Sequence, residues 1–136
     1  MRSFAIVIVL VLAGCRCYGQ NSAEFKGWAA KAQTQAELNI CASDEAARAK
    51  SALVAAYEGF LAKIAGDPLA TAKLRKAEAA WLRYRDAYMD AVFPAQDKQL
   101  AYGTEFPMDF DLLLTQVTRE HLAAITYLIN EYQPPQ

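Results

Sequence analysis

The chain has 136 residues, enough for one domain and too few for two. Its 14 Lys+Arg stand against 15 Asp+Glu, a formal net charge of -1, so the chain offers neither the basic face that nucleic acid requires nor an acidic tail. The hydrophobic share of 54% is inflated by the first segment, where apolar residues form an address and not a core.

That segment, MRSFAIVIVLVLAGC, places Arg2 ahead of the apolar run Phe4–Ala13. The run is shorter than the ~20 residues that span a bilayer, so residues 1–14 read as a signal peptide and not as an anchor by themselves. It ends Leu12-Ala13-Gly14-Cys15, which resembles the lipobox of bacterial lipoproteins. Under that reading Cys15 is lipidated and residues 15–23 form a tether. More than one acyl chain then holds the protein to the membrane stably. An ordinary cleavage after Cys17-Tyr18-Gly19 also fits the segment. Arg16 would follow the lipidated residue, which in a Gram-negative host resembles an outer-membrane address. Either way the expected location is outside the cytoplasm, in the periplasm or at the outer membrane or cell surface.

The helical domain is expected over 24–133. AEFKGWAAKA (23–32) reads as a short extra helix covering one end of the domain through Phe25 and Trp28. Thr34 and Glu37 have the spacing of a capping box, in which each side chain satisfies the other residue's unpaired N–H. From there Leu38, Cys41 (or Ala42), Ala46, Ala49, Leu53, Ala56 (or Tyr57), Phe60 and Ile64 recur in steps of three and four, a helical period. Gly66 is placed as the C-terminal stop.

Asp67 and Pro68 then fit the cap and first position of a second long helix, with Ala70, Leu74, Ala77, Trp81, Tyr84, Tyr88 and Ala91 inward and Pro94 ending it. The short turn predicts that the two helices lie antiparallel. Residues 94–106 break the pattern. A last helix is predicted from about Pro107 to Tyr132, with Phe110, Leu114, Val117, His121, Ile125, Leu128 and Ile129 inward. The expected fold is all-α: an antiparallel three-helix bundle with a short additional N-terminal helix.

The equipment of catalysis is sparse. His121 is the single histidine and sits mid-helix among apolar neighbours, where packing or a hydrogen bond accounts for it better than base catalysis. No set of ligands has the spacing of a metal site, and neither a phosphate loop nor a nucleophile elbow is present. Asp109 and Asp111 lie near a helix start, where the dipole favours negative charge. The chain is therefore read as a binding protein and not an enzyme, with no cofactor and no metal.

Two motifs go further. Glu37-Leu38-Asn39-x-Cys41-Ala42 and Trp81-Leu82-x-Tyr84-Arg85-Asp86-Ala87, with Tyr57 between them, resemble the lysozyme inhibitor LprI N-terminal domain family of small secreted or lipid-anchored bacterial helical proteins. The likeness covers roughly 29–125. It implies a protein partner, a lysozyme bound and blocked in the cell envelope. Its departures are at cysteines that relatives carry and that stand here as Ala29, Met89 and about Leu113, which leaves Cys41 without them. Two states remain for Cys41: a buried free thiol, or a bond to Cys17.

From the residues themselves, Trp81, Tyr84 and Tyr88 share a face and are expected to dominate the core. Arg85 at its edge is expected to pair with Glu37 across the helices, or with Glu78, with Asn39 as a hydrogen-bond partner. An inhibitor has to fill a cleft whose chemistry depends on two carboxylates. Segment 94–106 is the candidate, with Lys98 for a carboxylate, Tyr102 for a sugar subsite and Gly103 for a tight turn; a plain interhelical connection is the other reading. An adaptor lipoprotein that binds another envelope protein through its outer helix faces is the alternative function.

Overall fold

The computed structural model describes residues 23–134. The expected signal peptide, Cys15, Cys17 and most of the expected tether lie outside the described residues. Helices α1 (Ala23–Ala29), α2 (Gln35–Lys63), α3 (Pro68–Val92), α4 (Lys98–Tyr102) and α5 (Phe106–Glu131) follow one another, with a 3-10 turn at Gly103–Glu105 between the last two. Among the described residues there is no strand, and no helix is long and apolar enough to cross a membrane. The fold is an all-α bundle of three long helices, with the expected short α1 packed against α2 and α4 as an element the sequence pattern did not reveal.

Local chemistry sets the boundaries. Thr34 and Glu37 form the full capping box at the start of α2. Asp67 accepts the Ala70 N–H at the start of α3, with Pro68 following it. Gly66 is not a left-handed stop: the only glycine at positive φ among the described residues is Gly103. The turn instead closes through the Asp67 N–H, which donates to the Ile64 carbonyl at 2.9 Å.

In the capping box Glu37 also takes the Gln33 N–H at 2.6 Å, and with the Thr34 N–H this holds its carboxyl below the ordinary glutamate range. A carboxylate depressed in the folded state adds stability above its unfolded pKa and loses it as pH falls through the folded value. Acidification below the usual glutamate range should therefore lower amide protection at Gln33 and Thr34 while Leu53 stays protected. Equal loss at all three would contradict the assignment.

Leu53, Phe60 and Ile64 of α2 meet Ile125 of α5 in the main core, with Leu122, Ile129 and Tyr132 packed against it. The long contact runs between α2 and α5; α3 meets α5 in a few places and makes fewer close backbone approaches to α2. From α3, Ala70, Leu74 and Trp81 reach this core. The face of α3 turned inward is Ala70, Leu74, Glu78, Trp81, Arg85 and Met89. Tyr84 and Tyr88, expected in the core, are 61% and 44% exposed. The helix is rotated by about one position from the apolar reading, because two of its inward residues are polar and have partners. Leu128, also expected inward, is exposed at the end of α5.

The same correction applies to α2. Glu45, not Ala46, lies on the most buried line, fully out of solvent. It is held by Arg119 of α5 and by Arg48 one turn along α2, at 2.5 Å for the latter. Arg48 also lies over the Trp28 ring, 4.2 Å from its centroid, which ties α1 to the cluster. Phe25 of α1 is buried.

Candidate functional site

The end of the bundle where α3 stops and α5 begins is built from segment 93–106. It is not irregular, as its sequence suggested. Asp97 accepts the Leu100 N–H at 2.9 Å and starts α4, a single turn that Gly103 ends at φ 74 and ψ -163, a conformation L side chains rarely adopt.

Four fastenings hold the turn. The Lys98 ammonium donates to the carbonyls of Phe93 (2.7 Å) and Ala95 (3.2 Å) and lies 3.8 Å from Asp90, so it satisfies the otherwise unpaired end of α3. The Tyr102 hydroxyl accepts the Ala95 N–H, and its ring packs on Phe93 and Phe106 at 5.5 and 5.8 Å. Phe93 also meets Phe106 and Phe110 edge-on or tilted, an aromatic footing under the turn. Finally, the Asn39 amide donates to the Thr104 carbonyl at 3.1 Å, while its oxygen accepts from Gln35 at 2.9 Å.

Of the segment's candidate residues, Lys98 and Tyr102 thus spend their polar groups inside the protein, and Gly103 makes the tight turn expected of it. The outward residue is Leu100, 85% exposed, which the sequence reading did not single out. Its only signal was a leucine in the short stretch between Pro94 and Gly103, and single exposed apolar residues also occur elsewhere on the surface, Leu69 and Ile40 among them.

The motif residues fall into two groups. Glu37 and Asn39 work at the start of α2, one capping the helix and the other fastening the 3-10 turn. The expected Glu37–Arg85 pair does not form. Arg85 bonds its neighbour Asp86 at 2.5 Å and lays its guanidinium over Trp81, 5.4 Å from the ring centroid. Glu78 instead is hydrogen-bonded to His121 Nε2 at 2.8 Å, and the His121 ring stacks on Trp81 at 3.9 Å, nearly parallel. Trp81, Glu78 and His121 therefore form the joint between α3 and α5. This is a packing role for the single histidine, as its setting in the sequence suggested.

Cys41 is a free thiol and half-buried; its possible partner Cys17 lies outside the described residues. Met89, which the resemblance sets at a cysteine position, is buried, and Leu113 is half-buried.

Because α3 leans on α5, a groove of about 800 Å³ opens between α2 and α3. Ala46, Val54 and Tyr57 line one wall, Trp81 and Leu82 the other, and Leu114 and Asp111 the floor. Burial raises the Asp111 carboxyl above the ordinary aspartate value. Among the described residues no group of histidine, cysteine and carboxylate side chains is arranged to hold a metal ion.

A family model described as Lysozyme inhibitor LprI matches residues 27–124. No curated protein and no solved structure matches the chain.

Proposed function

The chain belongs to the lysozyme inhibitor LprI family, and from that membership we propose that it binds a lysozyme-type muramidase in the cell envelope and blocks its cleft, with no catalytic step of its own. Residues 1–14 carry it out of the cytoplasm in this reading, and lipidated Cys15 holds it to the membrane.

The observation that supports the reading is the α4 turn. Leu100 stands 85% exposed on a turn whose neighbours are fastened by Lys98, Tyr102 and Asn39. A turn whose backbone is already held loses little backbone freedom when a partner covers it, so more of the contact energy appears as affinity. Around it Gln99, Thr104 and Glu105 are exposed and supply the polar rim of such an interface.

The test is a lysis assay on cell-wall suspensions, with the mature chain carrying Cys15→Ser. Micromolar protein is expected to slow clearing by a lysozyme, and Lys98→Ala combined with Tyr102→Ala to weaken that effect by loosening the turn. Failure to bind or inhibit any lysozyme type at that concentration would overturn the reading.

A further inference from the structure

Tyr84 and Tyr88 sit four residues apart on the exposed side of α3, with rings 22° from parallel and centroids 6.1 Å apart. Neither contributes to the core cluster. They border a second cleft, about 290 Å³, whose apolar base is Leu113 and Val117 of α5. On its far side the Gln116 amide donates to the Glu120 carboxylate at 2.8 Å, which sets the two groups side by side. That bond leaves Gln116 an amide oxygen and a second N–H, and Glu120 a second oxygen, for an outside molecule.

The chemistry of this cleft is selective. No lysine or arginine lines it, so a phosphate or other anion finds no counter-charge. The near-parallel tyrosines do not make the intersecting walls that surround a quaternary ammonium, and the Trp81 ring beside them is already covered by His121 and approached by Arg85. A neutral ring with one C–H face and a periphery of hydroxyls fits the two tyrosine faces and the Gln116–Glu120 pair. The C–H face lies on a tyrosine, where polarised hydrogens meet the negative face of the aromatic ring. The hydroxyls donate to Glu120 and accept from Gln116. The volume is at the lower end of small-molecule sites, which suits a single ring of a longer chain.

We propose that Tyr84, Tyr88, Gln116 and Glu120 form a saccharide-binding site on the α3–α5 face, distinct from the α4 turn. The site takes one pyranose of an oligosaccharide. It does not depend on the muramidase reading, because its ligand is the sugar itself.

The experiment titrates the mature Cys15→Ser chain with the N-acetylglucosamine trimer and with maltotriose, following backbone and tyrosine NMR signals. Saturable binding of at least one trimer is expected, with the shifts centred on these four residues. Tyr84→Ala with Tyr88→Ala is expected to weaken it by about tenfold or more, the loss of one good aromatic contact. Gln116→Ala should weaken it separately, and Tyr127→Ala, exposed elsewhere on α5, should leave it unchanged. All four side chains are on the surface, and circular dichroism checks that the variants stay folded. Absence of saturable binding by both trimers overturns the proposal, as does a double variant that binds like the parent. If the double variant loses muramidase inhibition while no saccharide binds, the tyrosines belong to a protein interface and the proposal also fails.

Discussion

Arg119→Ala is expected to lower the folding stability of the domain by about 3 kcal/mol, although Arg119 is itself a third exposed. The reason lies in its partner. Glu45 has no solvent contact, and its carboxylate is ion-paired in the interior with Arg119 from α5 and Arg48 from its own helix. Removing Arg119 takes away the only one of these two that reaches across the interface, and leaves a buried charge with less compensation. In urea the midpoint should fall by about 1–2 M at an unchanged slope. The double variant Glu45→Ala with Arg119→Ala should be more stable than the additive expectation, since the uncompensated charge goes with its partner. A loss below about 0.5 kcal/mol for Arg119→Ala, the scale of an ordinary surface substitution, would mean that the cluster does not hold α2 to α5.

That cluster also marks where the sequence stopped being readable. The caps at Thr34 and Asp67, the helical periods of α2 and α5 and the stop before Pro94 are local events, and a single segment contains all the information they need. Which face of each helix turns inward is a different matter. The apolar pattern put Ala46, Tyr84 and Tyr88 inside, and the structure puts Glu45, Arg85 and Met89 there. Glu45 and Glu78 take inward positions because residues on another helix pair with them, and these partners, Arg119 and His121, lie 74 and 43 residues away. Periodicity within one helix carries no trace of that pairing. The family motifs were legible as a resemblance, yet Asn39 was assigned to Arg85 when its amide in fact holds the Thr104 carbonyl. The α4 turn was missed because five helical residues are too few to show a period.

Leu100→Asp is expected to abolish most muramidase binding with little change in stability. Leu100 makes no contribution to the core at 85% exposure, so a charge there meets only water in the free protein. In a complex the same charge would be carried into a desolvated contact without a partner, which costs about 2 kcal/mol or more, roughly thirty-fold in Kd. Leu69→Asp is the matched control. Leu69 is 65% exposed at the opposite end of α3, about 40 Å away along a helix of 25 residues. It should leave binding unchanged. Asn39→Ala should fall between the two, because it frees the 3-10 turn without altering the contact residue. Equal loss for Leu100→Asp and Leu69→Asp would point to a general effect of surface charge.

Hydrogen–deuterium exchange on the mature chain with and without a bound muramidase tests the central claim most directly. Slower exchange confined to residues 97–105 and the start of α2 around Asn39 is the predicted result. A complex that protects the middle of α3 or the α2–α3 groove, and leaves 97–105 exchanging as in the free protein, would contradict it.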